Sequence, residues 1–106
     1  MKIKKLNDDA KYEFHSNKSI SCYITEEKHD RYTKEVIYKT GIELELESDE
    51  LALLMLPKSL DGVTLGLCNG VYHGGELCFK YRPLGEGFNK KFKSNQEIGQ
   101  VIIVKV

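Results

Sequence analysis

Apolar and acidic residues alternate without a break along Ile42-Glu43-Leu44-Glu45-Leu46-Glu47. In an extended chain successive side chains point to opposite faces, so this spacing sends the aliphatic groups to a core and the carboxylates to water. It predicts a half-buried strand. Ile20-Ser21-Cys22-Tyr23-Ile24-Thr25 repeats the pattern, and Leu77-Cys78-Phe79-Lys80-Tyr81 repeats it with the small Cys78 on the second face. Phe88-Asn89-Lys90-Lys91-Phe92 is a sparser version that predicts an edge strand. The closing run, residues 98–106, has six β-branched residues and no breaker after Gly99. Such a run predicts a strand buried on both faces or paired with another chain.

Turn chemistry separates these segments. Asp61-Gly62, Asn69-Gly70, Gly74-Gly75, Pro83 and Gly85-Glu86-Gly87 are breaker or positive-φ signals at short spacing, which predicts an all-β sandwich or barrel. Residues 48–56 read two ways by pattern alone. Ser48 before Asp49 and Glu50 resembles a helix N-cap, with Leu51, Leu54 and Met55 at helical spacing, yet a strand fits equally. Glu26-Glu27-Lys28-His29-Asp30-Arg31 mixes both charge signs and predicts a solvated loop or hairpin tip. No repeat, low-complexity tract or linker interrupts the 106 residues, so one domain over 1–106 is expected.

Lysine and arginine number 16, and so do aspartate and glutamate, so no net field exists to hold nucleic acid or an anionic membrane non-specifically. An anionic ligand then needs a local site. The longest apolar run, Leu51-Ala52-Leu53-Leu54-Met55-Leu56, is far shorter than the roughly 20 residues of a membrane span, and Met1-Lys2-Ile3-Lys4-Lys5 leads into no apolar signal segment. A cytoplasmic protein, neither secreted nor anchored, is expected. Cys22, Cys68 and Cys78 cannot all pair within one chain, which fits a reducing compartment. Cys68, His73 and Cys78 recur at even steps but match no zinc-ligand spacing, so no metal is expected. Cys22 and Cys78 read as small core residues, and His15, His29 and His73 as loop residues.

Three segments, taken in order, resemble the trimeric dUTPase family, within the wider dUTPase and dCTP deaminase superfamily. Thr40-Gly41-Ile42 with its strand, followed by Pro57-Lys58-Ser59, resembles the family's T-G-I and P-R-S-G. Gly62-Val63-Thr64, Asn69-Gly70-Val71 and Gly75-Glu76 resemble G-I-T, G-V and G-E. Asn95-Gln96-Glu97-Ile98-Gly99-Gln100-Val101 resembles G-D-R-I-A-Q-L. The resemblance covers roughly the last two thirds of the chain. It implies a β-clip or jelly-roll-type barrel assembled as a homotrimer, makes residues 51–56 a strand, and places ligand sites where subunits meet.

The chemistry implied by the resemblance is attack of a carboxylate-activated water on a Mg²⁺-held triphosphate, which needs a base beside that water and oxygen ligands for the metal. The sequence departs from this at several points. Between Val71 and Gly75 only Tyr72, His73 and Gly74 stand where the family carries its catalytic aspartate. The early G-x-D-L motif falls on Ser21-Cys22-Tyr23-Ile24, with Tyr23 at the acidic position. Gln96 and Glu97 replace D-R, and the family's glycine-rich closing arm is expected to be missing after Val106. Catalytic residues are therefore expected to be absent. Glu76 is the candidate base, and Mg²⁺ the cofactor, only in the enzymatic alternative.

What the resemblance leaves is a binding surface. Lys58 and Ser59 match its phosphate contacts, with a point charge where the family has a planar fork. Spacing alone favours an ordinary polar strand end, and only the resemblance brings the phosphate reading level with it. Asn69, Gly70 and Val71 match the base-gripping hairpin, in which Tyr72 or His73 offers a stacking ring. Gln100 matches the motif glutamine. The implied function is a non-catalytic homotrimer that senses or sequesters a nucleotide, such as a cyclic or ADP-ribose-type signal, encoded by a phage. The alternatives are a divergent dUTP pyrophosphatase or deaminase, and a structural or protein-binding trimer.

Overall fold

The described residues of a computed structural model are 1–16, 18–56, 65–67, 69–83 and 96–106. They form strands β1 (Lys2–Lys5), β2 (Tyr12–Ser16), β3 (Ser19–Tyr23), β4 (Glu26–His29), β5 (Val36–Glu45), β6 (Glu50–Met55), β7 (Leu65–Leu67), β8 (Glu76–Pro83) and β9 (Glu97–Lys105). No helix occurs among them, and none is long and apolar enough to cross a membrane. The expected all-β class holds. The predicted edge strand at Phe88 to Phe92 lies outside the described residues.

The strands make two antiparallel sheets. One runs β1-β5-β8-β7 with β4 also paired to β5, and the other runs β2-β3-β9-β6. The acidic alternation lies in the second half of β5, where Lys2 and Lys4 of β1 stand opposite Glu45 and Glu43. Opposite charges face each other across that ladder, which favours this register. At Gly41 β5 changes partners. Its φ of 71° is left-handed, and a Cβ there would sit 3.0 Å from both Ala10 Cβ and Asn7 Nδ2. Glycine is the residue that adopts this backbone without strain.

Ile20, Cys22, Val101 and Ile103 of one sheet face a core shared with Tyr38, Ile42, Phe79 and Tyr81 of the other, all buried. Buried polar groups in this core find partners, as burial requires. Thr40 Oγ1 donates to the Leu77 carbonyl at 2.7 Å, and the Tyr81 hydroxyl donates to the Ile98 carbonyl. Gly99 meets the ring of Phe79 so closely that a Cβ on it would lie 2.2 Å from the nearest ring carbon.

The structure resolves the two-way reading of residues 48–56 and corrects two others. Glu50 to Met55 pair residue by residue with β9, burying Ala52 and Leu54 and turning Leu51, Leu53 and Met55 outward, so this segment is a strand. Glu26 to His29 form an edge strand, and only the residues after it make the hairpin tip. There Asp30 accepts hydrogen bonds from the amides of Tyr32 (2.8 Å) and Thr33 (3.2 Å), and Lys34 takes a φ of 64°. Charge along this strand suits a sheet edge, where it discourages further pairing. His15 and His29 accordingly lie in strands and not in loops. Strand β9 is central between β3 and β6 and within a single chain is buried on one face: Val104 is 36% exposed, and Val106, just past the strand, 78%.

Candidate functional site

Side chains on the outer face of the β2-β3-β9-β6 sheet follow from the register. Glu13, Ser21, Gln100 and Met55 form one row across the four strands, and Ser19, Ile102 and Leu53 form the next. The β6 end of this face is apolar, and the β2-β3 end is polar. A register shift between Cys22 and Tyr23 lets both Ile98 and Gly99 turn inward, and it returns Glu97 to the outer face opposite Tyr23. Such a bulge re-aims a side chain without breaking the sheet.

His15, Ser19, Glu97 and Gln100 line a cleft of about 410 Å³ at the polar end. Beneath it Ser21 is fully buried and shares a hydrogen bond with His15 Nε2, which fixes the imidazole. This explains why Ser21, on the polar side of its alternation, is not in water. Beside the cleft the Tyr23 hydroxyl donates to Glu13 at 3.2 Å, and the Lys11 ammonium lies 4.9 Å from the centre of the Tyr23 ring. Desolvation, then the bond to Glu13 and the nearby Glu97 charge, hold the Tyr23 phenol above its ordinary pKa. Gln100 was legible in the sequence as a site residue. His15, Ser19 and Glu97 were not, because a loop was expected at His15 and only the bulge brings Glu97 alongside.

The Asn69 to Gly75 segment adds to the β6 edge of the same sheet. Leu54 N donates to Gly70 O at 2.9 Å, Tyr72 N donates to Ala52 O at 3.0 Å, and Val71 bridges Leu53. Asn69 clamps β8 from both sides: its Nδ2 donates to Cys78 O at 2.8 Å, and its Oδ1 accepts from Lys80 N at 2.9 Å. The Tyr72 ring is partly buried, its hydroxyl donating to Gly75 O while accepting from Leu44 N at 3.2 Å. His73 is exposed at the tip, ahead of Gly74 and Gly75 with φ of 108° and 72°. The structure thus brings Val71, Tyr72 and Gln100 onto one sheet with β6 between them. Lys58 and Ser59 lie outside the described residues.

No carboxylate stands between Val71 and Glu76, and Glu76 Oε2 accepts a hydrogen bond from Gly41 N at 3.0 Å. Nor do the described residues fit a Mg²⁺ site. A hard divalent cation calls for several oxygen ligands, whereas no group of three or more acidic, histidine or cysteine side chains comes together among them.

Cys22 lies under this end of the sheet, and burial, followed by the Glu97 charge, pushes its thiol up to about 12 from an ordinary 9.0. Burial first, and the neighbouring Tyr38, raise Tyr81 in the same sense. The folded state holds both groups protonated, so their contribution is complete below the unfolded pKa values. For Cys22 it is lost as pH rises from about 9 toward 12, amounting to about 2 kcal/mol by pH 10.5. We expect the melting temperature to fall steeply above pH 9 and the Cys22→Ala variant to show a shallower fall. A melting temperature independent of pH between 8 and 11, read by circular dichroism, contradicts the assignment.

No protein-family model and no curated protein matches the chain. Solved structures do. A point mutant of the dUTPase from phage phi11 of S. aureus is 12% identical, with a TM-score of 0.76 over 99% of this chain and 90% of that one. The dUTPase of Staphylococcus bacteriophage 80alpha is 14% identical in a tyrosine mutant, with a TM-score of 0.79 over 99% of this chain and 89% of that one. The same dUTPase with dUpNHpp is 14% identical, with a TM-score of 0.78 over 99% and 82%. The chain has the dUTPase fold. At this identity the likeness rests on backbone course, and it covers the N-terminal third, where the sequence resemblance had not reached. The phi11 protein is described as coordinating a structural Mg(II) ion; the residues described above do not reproduce such a site in this chain.

Proposed function

We propose that the chain is a nucleotide-binding homotrimer of the dUTPase fold, encoded by a phage and acting in the host cytoplasm, that senses or sequesters its ligand without hydrolysing it. The observation that carries this reading is the hairpin. The fold's backbone course is kept, while no carboxylate lies between Val71 and Glu76 and Glu76 itself is tied to the Gly41 amide. Ligand contacts are assigned to Lys58 and Ser59 for phosphate, and to Asn69, Gly70 and Val71 through their backbone. His73 supplies an open ring face, Tyr72 braces the hairpin, and Gln100 looks across the sheet. Staphylococcal phage dUTPases are described as controlling the transfer of virulence genes, which supports a signalling use of this fold.

Trimer assembly is assigned to the outer sheet face, where Leu51, Met55, Val71 and Val104 are exposed together. An apolar surface shared by β6, β9 and the hairpin segment loses contact with water when copies of it pack around a symmetry axis. The reading is tested by incubating the protein with dUTP and Mg²⁺ and separating the products by chromatography. No dUMP above background is expected. Turnover that Glu76→Gln abolishes would restore the enzymatic alternative and overturn the proposal.

A further inference from the structure

We infer that the outer face of the sheet containing β4, β5 and β8 carries a phosphate-binding site, in which the ammonium groups of Lys28, Lys39 and Lys80 hold an anion of two or more charges above Ile37 and Cys78. The site goes beyond the nucleotide-binding reading and does not depend on it.

The register builds the site. Tyr38 and Phe79 are buried toward the other sheet, so their neighbours Ile37, Lys39, Cys78 and Lys80 turn outward. On β4, Glu26 stands opposite Lys39, and Lys28 opposite Ile37. On β8, Cys78 stands opposite Lys39, and Lys80 opposite Ile37. Lys39, on the middle strand, is therefore diagonal to Lys28 on one side and to Lys80 on the other. Diagonal neighbours lie about 7–8 Å apart, within reach of long side chains. Ile37 and Cys78 are only partly exposed and form the floor. Asn69 grips the β8 backbone at both Cys78 and Lys80, which holds that side of the floor in place.

Charge crowding points to the ligand. The Lys28 and Lys39 side chains come within hydrogen-bonding reach of each other. Ammonium groups donate and do not accept, so neither satisfies the other, whereas an oxyanion between them accepts from both. The Cys78 thiol feels the same convergence: burial first, then the Glu76 charge, raise its pKa, and Lys39, Lys80 and Lys28 all oppose that rise. Two carboxylates share the face. Glu26 Oε2 lies 3.6 Å from Lys39 Nζ with its side chain 54% exposed, and Glu76 Oε2 accepts from Gly41 N at 3.0 Å. One carboxylate is thus already at hand for Lys39, so a ligand that displaces Glu26 must bring more than one charge. Lysines are point donors without the planar fork that matches a carboxylate, which suits the spread oxygens of a phosphate chain.

The test is titration with inorganic tripolyphosphate at low salt, followed by amide chemical shifts and calorimetry. In the parent protein, shifts are expected at residues 28, 37, 39, 78 and 80. Lys39→Met and Lys28→Met, which keep the apolar stem, are each expected to weaken the binding that produces those shifts by about 10-fold, as loss of a charge-assisted hydrogen bond implies. Lys58→Met is expected to leave the shifts on this face as they are. A parallel titration with a nucleoside triphosphate separates the two sources of such an anion: matching shifts show that a nucleotide's phosphate chain fits, and shifts with tripolyphosphate alone restrict the ligand to free polyphosphate. The inference is overturned if those residues do not shift, if sodium chloride at matched ionic strength shifts them equally, or if both lysine variants bind as the parent does. It also falls if Lys58→Met alone removes the shifts, since the phosphate then sits at Lys58. In each of these cases the nucleotide-binding reading stands and only the outer-face site is lost.

Discussion

Gly99→Ala is expected to lower the melting temperature by about 10–20 °C. The added Cβ would lie 2.2, 2.5 and 2.7 Å from three carbons of the Phe79 ring, well inside van der Waals contact. Phe79 is fully buried between the sheets and has no solvent side to turn toward. Gly99 is itself in the middle of the β2-β3-β9-β6 sheet, paired with Cys22, so its backbone cannot withdraw without breaking the ladder. Overpacking in a closed core costs about 1–3 kcal/mol, and a clash against an aromatic ring with no exit belongs at the upper end. In this chain the Phe79 ring of β8 fills the space that a side chain at Gly99 of β9 would need. Phe79→Leu combined with Gly99→Ala is accordingly expected to recover part of the loss. Circular dichroism melts of the single and double variants check both statements. A single variant that melts within 2 °C of the parent contradicts the packing described here.

If the chain assembles as proposed, Leu53→Asp and Ile102→Asp are each expected to give monomers at micromolar concentration while leaving the fold intact. The two residues stand opposite each other in the register of β6 and β9, at the centre of the outer face and away from the core between the sheets. Both are only partly buried in an isolated chain, so a carboxylate at either position keeps access to water. At the symmetric interface three copies would be desolvated together without a partner, weakening association by roughly 100-fold or more. Light scattering reports the mass, and an unchanged far-ultraviolet spectrum shows that the strands persist. If both variants keep the oligomeric mass of the parent, the interface lies elsewhere.

Strand alternation was legible wherever one face of a strand meets the core and the other meets water. Ile42 to Glu47, Ile20 to Thr25 and Leu77 to Tyr81 gave β5, β3 and β8 because their periods were clean. Residues 48–56 were not decidable from pattern, since leucines at positions 51, 53 and 54 satisfy both periods, and the β9 ladder decides for a strand. β1, β2 and β4 escaped notice for a common reason. Lys2–Lys5, Tyr12–Ser16 and Glu26–His29 are mostly exposed and lie at or near sheet edges, where burial imposes little pattern.

The candidate site was partly legible. Resemblance marked the hairpin and Gln100, but it could not reveal that Tyr72 braces the turn through Leu44 and Gly75. Nor could it reveal the bulge that carries Glu97 into the cleft, because a register shift is a property of two strands and not of either one alone.

Native mass spectrometry of the protein purified from cells tests most directly whether this is a nucleotide-binding trimer. The account predicts a complex of about 36 kDa, three copies of the 12.1 kDa chain, with additional mass from a nucleotide released on denaturation. A 12.1 kDa species carrying no small molecule at micromolar concentration would contradict it.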